Sequence, residues 1–222
     1  SRVPTKARRG GLGAVLAYSG NSNVADAARG LETARASQAA VAEALGIDAE
    51  LVGLASTGVI GRELPRAALL AGARDCADAL GRDSADFCQA ILTTDSGPKR
   101  ACLELALPSG AVVRLAGQAK GAGMISPRFA TMFCFVETDA ELERETLDLL
   151  TGVCVKRSFD RISVDGQLST SDTVIAFANG AAGARIEPES DDELALGQAL
   201  DALMRQLALE MVADGEGAQI AD

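Results

Sequence analysis

The 222-residue chain contains no histidine and no tryptophan, and only 3% of its residues are aromatic. Without imidazole in the chain, Ser-His-Asp triads, Cys-His dyads and zinc sites with histidine ligands are excluded for it. A catalyst built from these residues relies on carboxylates, amines, hydroxyls, thiols or backbone dipoles. The scarcity of aromatics also predicts a core of Ala, Leu, Val and Ile.

Basic residues are scarce as well, with 21 Lys and Arg against 31 Asp and Glu, which makes the formal net charge −10. This balance argues against a nucleic-acid or anionic-membrane partner, because phosphate binding needs clustered Lys and Arg. No apolar run approaches the roughly 18 to 20 residues that a membrane helix needs. A composition of 48% hydrophobic and 23% charged residues is typical of a globular protein.

The cysteines are few, and none of them forms a CxxC pair. Their odd number and wide spacing are typical of reduced, buried thiols rather than of a disulfide framework or a metal site. Reduced thiols predict a cytoplasmic protein. The five are Cys76, Cys88, Cys102, Cys134 and Cys154.

Hydrophobic periodicity predicts alternating helices and strands, and therefore a layered α+β fold. A capping box, Ser190 to Glu193, precedes the last helix. Pro108-Ser109-Gly110 predicts a three-residue hairpin loop. The predicted helices cover residues 24–45, 65–80, 84–92, 141–157 and 192–212, and the predicted strands cover 51–56, 102–107, 111–115, 131–136, 161–165 and 173–177.

Two glycine clusters, Gly10-Gly11-Leu12-Gly13 and Gly121-Ala122-Gly123, invite comparison with phosphate-binding loops. A Walker loop requires GxxxxGK[ST] and a dinucleotide loop requires GxGxxG at a strand-helix junction, and the sequence has neither. Tight turns are the favoured interpretation of both clusters.

Thr57 and Gly58 follow the predicted strand 51–56, where a hydroxyl and a backbone N–H could point the same way. An ST-turn is the simpler interpretation, and an oxyanion hole is the functional one. Lys120 and Glu216 are, on composition alone, solvated surface charges.

Thr131 heads a predicted strand, directly after a loop that contains Pro127. An ordinary strand threonine is favoured by β-propensity. In a chain without histidine, however, a threonine with a free α-amine would carry its own base, since an amino terminus has an unperturbed pKa of about 7.7 to 8.0. That function requires cleavage of the Ala130–Thr131 bond.

Short motifs along nearly the whole chain together resemble the ornithine acetyltransferases of arginine biosynthesis, the ArgJ family. They occur in family order, which makes chance similarity improbable. The motifs are Ser19-Gly20-Asn21-Ser22-Asn23, Ala55-Ser56-Thr57-Gly58-Val59-Ile60-Gly61, Thr93-Thr94-Asp95 with Pro98-Lys99, Lys120-Gly121-Ala122-Gly123-Met124, Ala130-Thr131-Met132, Ser169-Thr170-Ser171-Asp172-Thr173 and Asp214-Gly215-Glu216-Gly217.

The resemblance implies a layered αββα sandwich and a precursor that cleaves itself before Thr131. Residues 1–130 would then belong to an α chain and residues 131–222 to a β chain of one catalytic domain, and the two chains would associate as a heterotetramer. Thr131 would carry an acetyl group from N-acetylornithine to glutamate as an acetyl-threonine ester, without a metal or bound cofactor. Acetyl-CoA as a second donor is left open.

The resemblance also assigns site residues by their position in the motifs. Thr57 and Gly58 would form the oxyanion hole, with Ala130 and Thr131 at the cleavage site. Substrate contacts would come from Thr93, Lys120, Thr131 and Glu216. Lys120 suits an amino-acid carboxylate and Glu216 an ammonium group.

The sequence departs from the family at Arg128 and Phe129, in the loop that must bend for self-cleavage. The N-terminal strands and the C-terminal domain expected of the family are missing, so the chain would be the central part of the enzyme. Two alternatives stay open: a self-processing N-terminal aminopeptidase of similar fold, and a catalytically silent paralogue. Lys120 and Glu216 favour the transferase.

Overall fold

Parallel pairing of two short strands organises the first part of the chain. The computed structural model describes residues 11–127, 129–169 and 171–216, and the chain divides into compact units of residues 1–93 and 94–222. In the first unit, β1 (Ala14–Tyr18) pairs in parallel with β2 (Val52–Ser56), and helix α1 (Ala27–Leu45) connects the two strands. Helices α2 (Arg66–Asp78) and α3 (Ala85–Ala90) follow.

Helix α1 forms because its buried residues recur at helical spacing. Thr33, Ser37 and Val41 lie on the buried face together with their neighbours Ala34 and Gln38. The helix ends at Gly46, which has a φ of +66° and donates its N–H to the carbonyl of Ala42.

The second unit is built on a four-stranded sheet of order β3-β4-β7-β9, in which β9 is parallel to β7 and the other neighbours are antiparallel. Helices α4 and α5 pack against each other and against this sheet. The elements are β3 (Lys99–Ala106), β4 (Val112–Lys120), β5 (Ile125–Ser126), β6 (Phe129–Ala130), β7 (Phe133–Thr138), β8 (Glu141–Leu142), α4 (Arg144–Arg157), β9 (Thr173–Ala178), β10 (Arg185–Ile186) and α5 (Asp191–Ala213).

The two faces of this sheet carry different side chains. On one face, alternate residues of β4 such as Leu115 join the core with Leu203 and Leu207 of α5. Gly117 allows the close approach of that helix, because a Cβ there would lie 2.7 Å from Leu203 Cδ2. Lys120 lies on the opposite face, because successive strand residues alternate between the two faces. It is buried there over the ring of Phe133.

The predicted α+β class is confirmed, and the αββα sandwich remains a prediction. The hairpin loop is as expected: the Leu107 N–H donates to the Ala111 carbonyl over 2.8 Å, and Gly110 has a φ of +88°. The capping box is half formed. Ser190 Oγ accepts the Glu193 N–H, whereas the Glu193 carboxylate accepts from the Glu189 N–H instead of that of Ser190.

Three expectations about secondary structure are corrected, and one strand is added. The helix predicted from residue 141 begins at Arg144, because Glu141 and Leu142 pair with β10. The predicted strand 161–165 is instead the end of a 3-10 turn, Phe159–Arg161, followed by a bend. The strand predicted over 131–136 begins at Phe133, so Thr131 precedes it. Strand β1 was not predicted at all.

The cysteine prediction is only partly right. All five thiols are free, but Cys76 and Cys102 are exposed. Within the part of the chain that the structure describes, no helix combines the length and apolar character needed to cross a membrane. The same residues contain no cluster of three or more acidic or cysteine side chains placed to hold a metal ion.

Candidate active site

The turn after β2 carries Thr57 and Gly58, at the carboxyl ends of the two parallel strands of the first unit. Thr57 is fully buried, and its N–H donates to the Tyr18 carbonyl over 3.1 Å. Gly58 has a φ of +120°, and a Cβ there would lie 2.3 Å from the Gly20 carbonyl oxygen. Only glycine fits this position, because a side chain would meet rigid backbone in a conformation that L-residues rarely adopt.

The Gly58 N–H donates to no acceptor among the described residues, whereas the next amide, of Val59, donates to Gly20 O over 3.0 Å. A backbone donor held in a rigid turn is one component of an oxyanion hole. Thr93, the third candidate in this unit, follows α3 and is exposed.

Thr131 lies between β6 and β7 in the second unit. Its backbone N–H donates to the Met124 carbonyl over 2.8 Å, which extends the short β5–β6 pairing. Its Oγ1 atom is buried and has no hydrogen-bond partner among the described residues. Most buried hydroxyls in proteins are hydrogen-bonded, so this one requires an explanation.

Two carboxylates hold the backbone that leads to the Ala130–Thr131 junction. Asp172 Oδ2 accepts the Ala130 N–H at 2.8 Å. Asp165 accepts the N–H groups of Met124 at 2.7 Å and Ile125 at 3.0 Å. Although desolvation opposes it, the N–H groups of Gln167, Met124 and Ile125 lower the pKa of Asp165, because they stabilise its charged form.

Lys120 ends β4 as a fully buried cation. Its Nζ atom lies 5.1 Å from the centroid of the Phe133 ring, within cation–π range. Burial lowers the pKa of Lys120 to about 8; Asp95 opposes this change and the positive charge of Lys99 adds to it. The expectation that Lys120 is a solvated charge on composition alone is therefore wrong.

An ion-pair network of Asp95, Lys99 and Asp214 fixes the turn that follows Lys120. Lys99 Nζ contacts Asp95 Oδ1 at 2.7 Å and Asp214 Oδ2 at 2.5 Å. Asp95 Oδ1 also accepts the Gly121 N–H at 2.6 Å. The family motifs contain these three residues, but the sequence predicts no role for any of them. The acid-to-lysine spacing from 95 to 99 is a weak signal, and Asp214 lies too far along the chain to be paired by inspection.

Glu216 lies against the same turn. Its N–H donates to the Ala122 carbonyl over 2.7 Å. A Cβ on Gly123 would lie 2.6 Å from Glu216 Oε1, so the carboxylate occupies the space that a side chain at residue 123 would need. The residue as a whole is solvent-exposed.

The structure therefore gathers three predicted site residues around the turn 120–124. Lys120 precedes the turn and Glu216 packs on it. Thr131 joins it through the Met124 carbonyl, and its own carbonyl oxygen lies 3.4 Å from where a Cβ of Gly121 would be. Hydroxyl, amine and carboxylate at one turn can act as nucleophile, anion partner and cation partner. Thr57, Gly58 and Thr93 belong to the first unit.

A profile of the ArgJ family matches residues 2–221. The arginine biosynthesis bifunctional protein ArgJ of Symbiobacterium thermophilum is 46% identical over 211 residues, 94% of this chain and 52% of that protein. The protein of the same name from Nitratidesulfovibrio vulgaris is 45% identical over 206 residues, 92% of this chain and 52% of that protein. A crystal structure of ornithine acetyltransferase complexed with ornithine from Mycobacterium tuberculosis aligns with 51% of this chain and 61% of that chain at 34% identity and a TM-score of 0.46.

The chain spans about half the length of the curated relatives that it matches. The family profile nevertheless covers almost every residue, including both sides of the Ala130–Thr131 junction. The chain belongs to the ArgJ family.

Proposed function

We propose that this chain is the central part of a self-processing acetyltransferase of arginine biosynthesis, which moves an acetyl group from N-acetylornithine to glutamate. The observation that carries the proposal is the buried Thr131 Oγ1 atom without a hydrogen-bond partner among the described residues. Leaving a buried hydroxyl unsatisfied costs about 1 to 3 kcal/mol, and such costs are concentrated at functional sites. The names of the relatives support the pathway.

Self-cleavage comes first in this proposal. Thr131 Oγ1 attacks the carbonyl carbon of Ala130, a C–O bond forms, and the C–N bond to Thr131 breaks. The hydroxyl proton moves to the Thr131 nitrogen, which leaves as an amine. Water then adds to the ester and releases the Ala130 carboxylate and the Thr131 hydroxyl.

The new amino terminus supplies the base for acetyl transfer. The Thr131 amine accepts the proton from its own hydroxyl, because an amino terminus titrates near pH 8. The hydroxyl oxygen attacks the acetyl carbonyl of N-acetylornithine, the ornithine nitrogen leaves with a proton, and an acetyl-threonine ester remains. The amine of glutamate then attacks this ester and restores the hydroxyl.

Electrostatics support amino-acid substrates. Lys120 offers a buried cation to a carboxylate, and a charge-assisted pair in a water-poor site is stronger than one at the surface. Glu216 offers a carboxylate to an ammonium group. In this mechanism, Thr57 and the Gly58 N–H stabilise the oxyanion of each tetrahedral intermediate.

The relatives are named bifunctional, and we extend the proposal to acetyl-CoA as a second acetyl donor. Attack of the Thr131 hydroxyl on the thioester would give the same acetyl ester and release the coenzyme A thiol. The mechanism uses no metal or bound cofactor.

The test compares Thr131→Ala with Thr131→Ser in the full-length protein. We expect Thr131→Ala to remain a single chain and to have no acetyltransferase activity, because it lacks the hydroxyl. We expect Thr131→Ser to cleave and to retain part of the activity. Mass spectrometry should find an added acetyl group on the peptide that begins at Thr131 after N-acetylornithine is supplied to the wild type.

Cleavage of Thr131→Ala at the same bond would show that another group is the nucleophile. Release of amino acids from peptides without acetyl transfer to glutamate would indicate an aminopeptidase instead.

A further inference from the structure

The acyl side of the Ala130–Thr131 bond is held by a side chain that the proposed mechanism leaves without a role. Asp172 Oδ2 accepts the Ala130 N–H at 2.8 Å, across 42 positions of the sequence. Asp172 belongs to the Ser169–Thr173 motif, and within it the Ser171 N–H donates to Ser169 Oγ over 3.2 Å. The Thr173 N–H donates to the Met132 carbonyl over 3.0 Å, which places β9 beside the segment that follows the junction.

Two hydrogen bonds thus fix the orientation of the Ala130 carbonyl. The Ala130 N–H is held by Asp172, and the Thr131 N–H is held by the Met124 carbonyl at 2.8 Å. Because a trans peptide is planar, the Ala130 carbonyl must point away from Met124 O. With the amides on both sides anchored, neither dihedral angle of Ala130 is free to turn this carbonyl.

Orientation matters more before cleavage than after it. In the precursor the Thr131 nitrogen is an amide, so it has no free electron pair to accept the hydroxyl proton, and the chain contains no histidine. Holding two reacting groups in a productive geometry lowers the activation barrier substantially, because the entropy of bringing them together is already lost. The first step of self-cleavage must therefore depend mainly on the positioning of the Thr131 hydroxyl and the Ala130 carbonyl.

A cavity of about 110 Å³ lies beside the junction, and its walls include Ala130, Asp172 and Asp160. Asp172 hydrogen-bonds to the Ala130 backbone, whereas no hydrogen bond joins Asp160 to Ala130 in the described structure. Asp160 is therefore a matched control: an acid on the same cavity that does not hold the junction.

We propose that Asp172 is a positioning residue for self-cleavage, acting as a hydrogen-bond acceptor that holds the Ala130 carbonyl for attack by Thr131 Oγ1. This inference rests on the proposed self-processing. Asp172 takes part in the acyl shift from nitrogen to oxygen, in which the proton passes from Oγ1 to the Thr131 nitrogen. It does not act in the later hydrolysis of the ester.

The experiment follows newly made full-length protein in cell-free translation and measures the rate at which the chain divides. Asp172→Ala should slow cleavage at least about tenfold, since small misplacements of reacting groups cost up to about 100-fold. Asp172→Asn should stay within about threefold of the wild type, because an amide oxygen still accepts the N–H. Asp160→Asn should cleave at the wild-type rate.

The Asp172→Glu variant distinguishes two roles of the carboxylate, hydrogen-bond acceptor and general base. A glutamate keeps the negative charge but moves the acceptor by one methylene, so the proposal predicts slower cleavage than in Asp172→Asn. The reverse order, with Glu faster than Asn, would assign Asp172 a proton-transfer role and overturn the proposal. This order of rates does not depend on whether Asp172→Ala folds.

Hydroxylamine identifies the affected step, because its nitrogen attacks an ester carbonyl and leaves a hydroxamate on Ala130 and a free Thr131 hydroxyl. Neutral hydroxylamine should not restore the wild-type rate of division to Asp172→Glu, since formation of the ester is then the slow step. Restored division would place Asp172 in ester hydrolysis and contradict the proposal. Wild-type protein that never divides would instead refute self-processing itself, and division of Thr131→Ala would refute Thr131 as its nucleophile. Normal cleavage by all Asp172 variants would refute only this inference.

Discussion

Lys120 is a cation placed where water is excluded. Its side chain is fully buried beside the Phe133 ring, and burial is the main reason that its pKa is lowered to about 8. Asp95 lies near enough to oppose this change, but it also accepts from Lys99 and from the Gly121 N–H. At neutral pH the folded protein therefore holds a positive charge at a cost, as expected of a group retained to bind an anion.

We predict that Lys120→Met raises the free energy of unfolding at pH 7, by up to about 3 kcal/mol for a pKa lowered from 10.5 to about 8. The sign follows from linkage. Below pH 8 both states bind the proton and the full cost of the buried charge is present. Between pH 8 and 10.5 only the unfolded state binds it, so wild-type stability rises. Urea unfolding at pH 7 and pH 10 measures the difference.

The gain in unfolding free energy from Lys120→Met should therefore shrink as the pH rises. Lys156→Met is the control, because Lys156 lies on the exposed side of α4 and carries no burial cost. A loss of stability in Lys120→Met at pH 7, or a gain of the same size at both pH values, would contradict the prediction.

At the scale of elements, the turn after β2 illustrates a site that local sequence only suggests. The Thr57-Gly58 pair predicts a turn, and the two glycines at 58 and 61 both have positive φ. Only Gly58 is also packed against backbone, where a Cβ would meet Gly20 O at 2.3 Å; a Cβ on Gly61 would meet nothing within 4 Å.

We predict that Gly58→Ala costs about 2 kcal/mol or more in unfolding free energy, because it adds a backbone clash to the strain of positive φ. Gly61→Ala is the matched control and should cost about 1 kcal/mol, the strain alone. Urea unfolding of both variants measures the difference. Equal costs at the two positions would show that the Gly20 contact is not rigid.

The elements themselves were predicted well where their signals are local. The hairpin at Gly110 and the end of α1 at Gly46 follow from turn and cap residues, which act within a few positions. The sequence does not predict strand β1, because its partner β2 lies more than 30 residues away and small residues weaken its pattern. The predicted strand 161–165 failed because the Asp165 carboxylate turns the chain there by accepting the Gln167 N–H.

At the scale of the second unit, the proposed cut falls inside one sheet. Strands β3 and β4 precede the Ala130–Thr131 bond, whereas β7, β9 and α5 follow it. Six residue pairs join β4 to β7 across the cut, from Leu115 opposite Thr138 to Lys120 opposite Phe133. Helix α5 also packs on β3 and β4 through a shared apolar core.

We predict that the two parts remain associated after cleavage, because separating them would break these pairs and expose that core. They should elute together in size-exclusion chromatography under native conditions and separate only in denaturant. Gly117→Val is the comparison variant, since a side chain at residue 117 would push against Leu203 and Leu207. Separate elution of the native wild-type parts would contradict the prediction.

The sequence alone determined the chemistry that this protein can use and the order of its motifs. The absence of histidine turns attention to Thr131, and the motifs around it indicate the ArgJ family before any coordinates are considered. These features are local, because residue type and short spacing carry them.

Only the tertiary structure decided how the motifs act on one another. Lys99 meets Asp214 across 115 positions, and Ala130 meets Asp172 across 42. It also showed that Lys120 is buried and that the Thr131 hydroxyl has no partner among the described residues. Such facts depend on which surfaces the sheet and helices bring together, and no spacing of residues along the chain encodes them.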